Sequence, residues 1–540
     1  MCSVPRKRGA KGYGWGEQHM GRSDLIAESN RLLGSLNVGR IRSVAYDTAW
    51  GARPLGNGTS KARPEFPGAL RWLLRSQKWD GSWGSEIEYI HDRLLSTVAA
   101  VNALCLNDRI KYGEEIAMGI DYLWDNMDRL DEDPYETIGS ELLLPSQLEE
   151  AQDLGLNVPA APPSVQAKRD RKLGLIPDAM IYSDQTTLAF SLEFLGNDVR
   201  PKDLERCIYP NGSLGCSPSA TMFMLRHSHD ERARKYLGWV SDCMWSGGFP
   251  SQLPFETFEF SWTIYNFLKA GIKGLPASKA LLDQLDYFWR TRKDGVGWGN
   301  AFKCSDSDTS AITFKVLLEH GYRPDPSVFE SYEIDQGFKC FMFEVNPSVS
   351  AHIHIIEALQ DVPTSELLRK EEMLDKIIRY LAKKQLNGQI WTDKWHASPF
   401  YTTCHGVMAL TKMAPELLEG PIDWLLGSQM EDGGWGHYGK STVEETAYAV
   451  QALMEYSKTI EPLDSEPVRR GSIFLHSHRF EPLERLWIAK GLYSPVNVIK
   501  SAAIGALHEV AQTFDFEMAA KTEIEELDTS ALNVHGSGGA

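Results

Sequence analysis

Several features are scarce in this chain, and each shortage excludes a class of protein. The eight cysteines, at positions 2, 105, 207, 216, 243, 304, 340 and 404, form no Cys-x-x-Cys pair. Neither a zinc site nor a thiol redox motif is spelled, and the cysteines read as buried thiols. Basic residues number 56 against 73 acidic ones, a net charge of -17, which argues against a nucleic-acid surface or a polybasic membrane anchor. No run approaches the roughly 18 apolar residues of a membrane-spanning helix, and the mean hydropathy is -0.31. The opening stretch MCSVPRKRGAKGYGWG lacks the apolar core of a secretory signal, so a cytoplasmic protein is expected. The glycosylation-like triplets at Asn57 and Asn211 then read as turns. Strand-like alternation is rare throughout, which leaves little room for a sheet.

What the chain has is helical periodicity and a returning turn. Apolar spacing predicts helices over 92–104, 258–271, 309–321 and 444–456. Between helices a phrase recurs: QKWDGSWG (77–84), YPNGSLG (209–215), WSGGFP (245–250), RKDGVGWG (292–299), LNGQIW (386–391) and QMEDGGWG (429–436). Gly212, Gly248 and Gly295 are 36 and 47 residues apart, and Gly388 and Gly433 are 45 apart, a period that suits two helices and a turn. The expected fold is all-α, built from repeated helix pairs that either stack as a solenoid or close into a ring. With 540 residues, 42% of them hydrophobic, the chain can bury two cores. The Pro-rich and charged stretch from about 150 to 175 reads as a long loop, and the tail after Glu517 as largely disordered.

Chemistry enters at AFKCSDSDTSAITFKVLLEHGY (301–322), where Asp306 and Asp308 precede an apolar helix. One aspartate suffices as an N-cap. Two carboxylates held close in a dry site cannot both ionise cheaply, so one keeps a proton near neutral pH and serves as a general acid. Capping, acid catalysis and metal binding all stay open on this motif alone. The 16 tryptophans add aromatic faces of the kind that stabilise a carbocation without trapping it, although most tryptophans in any fold are packing.

Four ordered stretches then carry a family resemblance: SVAYDTAWGARP (43–54), SQKWDGSWGSEIEYIHDRLLSTVAAVNAL (76–104), IGSELLLPSQLEEAQDLGLNVP (138–159) and SDSDTSAITFKVLLEHGY (305–322). Together they resemble class II diterpene cyclases of the copalyl diphosphate synthase type, over roughly residues 40–455. The resemblance implies two α/α barrels, β and γ, placed at 1–55 plus 273–540 for β and 56–272 for γ, with the active site between them and no class I α domain. It implies protonation of geranylgeranyl diphosphate, ring closure to a bicyclic diterpenyl diphosphate of the copalyl or halimadienyl kind, and retention of diphosphate. A downstream class I terpene synthase or phosphatase would take the product.

By residue, Asp308 matches the proton donor, Asp306 the aspartate that holds it, and Thr309 stands where the plant enzymes have a third aspartate, as in the bacterial Asp-x-Asp-Thr variant. The threonine is expected to orient the acid through its hydroxyl. Lys394 is the expected diphosphate contact, Trp262, Trp395 and Tyr401 the expected cavity wall, and Asp131, Glu132 and Asp133 the expected Mg2+ ligands. Glu444 or Glu445 would support the acid. Phe190 and Ser251 stand where plant copalyl synthases have the His and Asn that position a water, so termination is expected to differ. Three other readings stay open here: the same chemistry on farnesyl diphosphate giving drimenyl diphosphate, an inverting glycosidase, and a noncatalytic helical-repeat binding protein. The glycosidase fits poorly, because its carboxyls need roughly 6.5–9.5 Å of separation.

Overall fold

The computed structural model describes residues 21–54, 64–344, 346–479 and 482–513. The tail after Glu517, Cys2, Asn57 and the expected domain boundary at 55/56 lie outside them. Helices dominate, and all four predicted ones are present, as Ile90–Asp108, Glu256–Lys269, Ser307–Glu319 and Val443–Thr459. Strand among the described residues is limited to two antiparallel hairpins of two-residue strands, Glu333–Ile334 with Gly337–Phe338 and Trp487–Ile488 with Leu492–Tyr493. No helix among them is long and apolar enough to cross a membrane. The expected loop over 150–175 is a loop only at 154–162. Its prolines start the helix Pro163–Leu175, since proline's missing N–H and fixed φ suit a first helical turn.

The returning turn is one structural unit used repeatedly. At Trp83, Trp391 and Trp435 the backbone N–H donates to a threonine hydroxyl on the following helix (Thr97 3.0 Å, Thr403 3.0 Å, Thr446 2.9 Å). Each indole Nε1 donates to the leucine carbonyl ten residues back, at 2.7–2.9 Å. A fully buried tryptophan thus has its one polar atom satisfied while its rings fill the gap between successive helices. Gly81 in the first of these turns has φ +86°, and a Cβ there would lie 2.4 Å from the carbonyl oxygen of Met118, so both the backbone conformation and the close approach require glycine.

Two apolar cores result. One gathers buried residues between Ala45 and Leu253, the other those of 25–44 and 255–510. The apolar packing therefore divides the chain near 44/45 and 253/255, not at 55/56 and 272/273. The helix Glu256–Lys269, expected in γ, stacks Phe258 and Trp262 in the second core instead. The hairpin Trp487–Tyr493 bridges the two cores: Ala489 accepts from Ile138 N at 2.8 Å, and Lys490 at its tip reaches Glu193.

Candidate active site

A small cavity of about 70 Å³ opens along this junction. Ile138, Phe190 and Gln252 line it from the first core unit. Phe255, Phe258, Trp298, Phe341, Trp395, Trp487 and Tyr493 line it from the second, together with Asp306, Asp308 and Thr309.

The acid turn is built by the repeated unit. Val296 N donates to Ser310 Oγ at 2.9 Å, as the tryptophans do to their threonines. Asp306 N donates back to Val296 O at 2.9 Å and Ser307 N to Cys340 O at 2.9 Å, which pins the N-terminus of the helix Ser307–Glu319. Asp306 is the N-cap, its Oδ1 accepting from Thr309 N at 2.6 Å, while its Oδ2 is buried without a hydrogen-bond partner. Burial, reinforced by the neighbouring Asp308 carboxylate and opposed by Thr309, pushes the Asp306 carboxyl up to about 8. Thr309 thus acts through its backbone N–H as well as its hydroxyl, and both contacts favour the anion.

Asp308 is 8% exposed and faces the cavity. Its Oδ1 lies 2.5 Å from His354 Nδ1, and His354 Nε2 lies 3.1 Å from His405 Nδ1. Burial holds His405 well below the usual imidazole range. This Asp–His–His line runs from the cavity into the β core. Sequence reasoning missed both histidines, although SAHIHIIEAL (350–359) places His354, with His352, on a mostly apolar helix and His405 lies on the similarly apolar helix Pro399–Leu410.

Of the other expected residues, Trp395 lines the cavity. Trp262 and Tyr401 do not: both are fully buried one layer behind, Trp262 stacked on Phe258 with centroids 3.8 Å apart and its Nε1 donating to Tyr401 Oη at 3.4 Å. Phe258 takes the wall position. Lys394 is ion-paired with Glu344, donates to the Asn346 carbonyl and sits 4.9 Å over the Trp395 ring. Burial lowers its pKa to about 8, and the field of Asp308 is among the terms acting on it. Its neighbour Asp393 anchors the loop by accepting from Ser348, Val349 and Ser350.

The acidic run does not converge. Arg129 grips Glu132 through two bonds of 2.9 and 2.7 Å, Asp133 accepts from His91 N at 2.7 Å, and Asp131 is exposed. Among the described residues no three His, Cys, Asp or Glu side chains come together as a metal site, so these acids do not fit a preformed Mg2+ ligand set. Glu444 and Glu445 do not touch the acid either. Glu444 accepts from Trp487 Nε1 at 2.7 Å, and Glu445 from Ser398 Oγ at 2.5 Å. Phe190 does line the cavity. Ser251 lies behind Gln252, donating to its Oε1 at 2.5 Å, and it is Gln252 that meets the cavity.

Known proteins resemble this chain in sequence and fold. The squalene-hopene cyclase C-terminal domain family matches residues 344–481. The type B diterpene cyclase of Mycobacterium tuberculosis is 32% identical over 493 residues, which span 88% of this chain and 96% of that protein. The ent-copalyl diphosphate synthase from Streptomyces platensis superposes with a TM-score of 0.75 at 27% identity, covering 90% of this chain and 98% of its own. Plant relatives are longer: the copal-8-ol diphosphate hydratase of Nicotiana tabacum is 31% identical over 69% of this chain but only 49% of itself, so the chain spans about half of such proteins. A relative matched along nearly its whole length, the superposed barrels and a carboxylate pair at the cavity between them lead to one family: this chain is a class II diterpene cyclase.

Proposed function

We propose that the enzyme cyclises geranylgeranyl diphosphate to a bicyclic diterpenyl diphosphate, with Asp308 as the acid that protonates the terminal alkene. The observation that carries this reading is the Asp308 carboxyl opening onto an aromatic cavity beside a second carboxyl that burial keeps protonated near neutrality. An alkene is a poor base, and the proton must come from a group whose conjugate anion the site tolerates. His354 supplies that tolerance by hydrogen-bonding Asp308 Oδ1, and the repelling proximity of Asp306 is muted while Asp306 stays neutral. Phe258, Trp298 and Trp487 offer π faces to the cation that follows. Among the described residues no Lys, Arg or His lines the cavity, which leaves the cation time to close rings before it is trapped.

Lys394 is the proposed diphosphate contact, with Glu344 as its counter-ion until substrate arrives. Because the described acids do not form a preformed ligand set, Mg2+ would arrive bound to the diphosphate and offset its charge. The product keeps its diphosphate, so the reading extends to a cytoplasmic enzyme that feeds a class I terpene synthase or a phosphatase.

The test is direct. Purified protein is incubated with magnesium and either the C20 or the C15 isoprenyl diphosphate, the mixture is dephosphorylated, and the alcohols are identified. A bicyclic C20 alcohol is expected; a drimane from the C15 substrate alone would shift the assignment, and only linear alcohols from both would overturn it.

A further inference from the structure

We infer that Lys490 is a specificity-determining residue: seated behind the Phe190 wall of the cavity, its ammonium denies that wall to the ring-closed carbocation and drives the charge to migrate before quenching. This rests on the cyclase reading above and goes beyond it.

Lys490 and Glu193 are both fully buried. The ammonium donates to Glu193 Oε1 at 2.5 Å, Ser217 Oγ at 2.7 Å and Ser219 Oγ at 2.6 Å, so its three hydrogens are all used and its position is fixed. Glu193 also accepts from Tyr46 Oη at 3.2 Å. Asp47 joins the cluster by accepting from Ser219 N at 3.1 Å. None of these charges takes part in the proton transfer, and a buried ion pair is weak evidence of a gain in stability.

What the pair does face is Phe190. The ammonium lies 4.6 Å from the ring centroid, and the same ring lines the cavity and meets Trp298 edge-on at 5.5 Å. The positive end of the pair is therefore turned against the ring. An aromatic face holds a cation through its negative π density; with an ammonium already on the ring, a second cation beside it is repelled, and the dry surroundings strengthen that repulsion. Among the described residues no such cation is seated over Phe258 or Trp487, and the only other cavity ring with one among them is Trp395, under Lys394 at 4.9 Å. Asp308, on another wall, becomes an anion once its proton has gone to the alkene. The field across the cavity thus runs from repulsive at Phe190 to attractive at Asp308. Hydride or methyl groups move, each with its electron pair, onto the adjacent cationic carbon, and the charge retreats from Phe190 until a proton is lost to water.

The test reads the ratio of unshifted to shifted bicyclic alcohols, with Phe190 either natural or replaced by its tetrafluorinated analogue, which keeps the shape and weakens the π face. In K490M/E193Q, where both charges are removed together, the unshifted fraction is expected to rise at least threefold, and fluorination of Phe190 to reverse most of that rise. With Lys490 in place, fluorination should leave the ratio within about 1.5-fold. An unchanged ratio in the double variant, or a rise that fluorination leaves untouched, would overturn the inference and leave Lys490 as a latch between the cores. Should the double variant not fold, the wild-type protein decides alone: a graded response to fluorination means that Phe190 hosts the cation despite Lys490, which overturns it too. Failure of the cyclase reading is distinct, because the wild type would then form no bicycle.

Discussion

Among the described residues four helices begin at the same kind of turn, and only one of them carries the acid. Asp306, Ser217, Ser348 and Thr442 are N-caps whose side chains accept from the N–H three residues on. Two residues past the cap the chain has Asp308, Ser219, Ser350 and Glu444. Ser219 is spent on Lys490, Ser350 on Asp393 and Glu444 on the indole of Trp487. Asp308 alone of the four both opens onto the cavity and is held by an imidazole. The backbone of the repeat thus supplies the placement, and catalysis needs only a carboxylate at that place, a second one as cap, and a void in front.

The comparison is broken most severely at Asp308. Asp308→Asn keeps the shape and removes the transferable proton, so turnover should fall by roughly 10³-fold or more, the upper part of the range for a lost general acid, with a melting temperature near that of the wild type. Retained turnover would mean that the acid lies elsewhere. A sharper cut is Asp306→Ser, which installs the cap used at Ser217 and Ser348. Serine and aspartate cap about equally well, and the cost of keeping the buried Asp306 carboxyl protonated is removed, so thermal stability at neutral pH should hold or rise, while turnover should fall roughly tenfold or more because the neutral carboxyl beside Asp308 is gone. If turnover follows stability instead, Asp306 is only a cap.

The repeat, the helices and the Asp-x-Asp turn were legible because they are local: glycine spacing, apolar periodicity and a cap are all written in neighbouring residues. Asp308 on a helix starting at Ser307 needed no distant partner to be recognised. His354 and His405 come from two other helices, and nothing in the sequence around Asp308 announces them. The same holds for Lys490, whose partners Glu193, Ser217 and Ser219 lie some 270–300 residues away. Trp262 and Tyr401 were misplaced by one layer, because an aromatic residue on a core helix looks alike whether it faces the void or backs the residue that does. The acidic run is dispersed for another reason: adjacent acids at the end of the 3-10 helix Met127–Glu132 point to different partners, here Arg129 and His91.

The pH dependence of stability separates the two carboxyls further. Asp306 titrates near 8 in the folded protein against 3.8 for its ordinary value, so between about pH 5 and 8 the native state keeps a proton that the unfolded chain has lost. Stability from this group is therefore present at low pH and falls as pH rises, by up to about 1.4 kcal/mol per unit. Asp306→Asn should flatten that slope in denaturant titrations at pH 5, 6, 7 and 8. Equal slopes in the two proteins would mean that Asp306 is ionised in the fold. Wild-type turnover should also decline above about pH 8, as Asp306 becomes an anion and its neutral carboxyl is lost from the site.

The smallest effect is expected where carboxylates are most numerous. Glu132 is exposed and satisfied by Arg129, an arrangement whose removal is nearly silent at a surface. Glu132→Gln should shift the melting temperature by less than about 1 °C and leave kcat and KM within about twofold at saturating magnesium. A KM that rises tenfold, and rises more as magnesium is lowered, would show that substrate gathers the run into a metal site that Arg129 and His91 hold apart without it. Three adjacent carboxylates would then matter through induced fit, in contrast to the two in the cavity, whose positions the helix start and His354 set before any substrate binds.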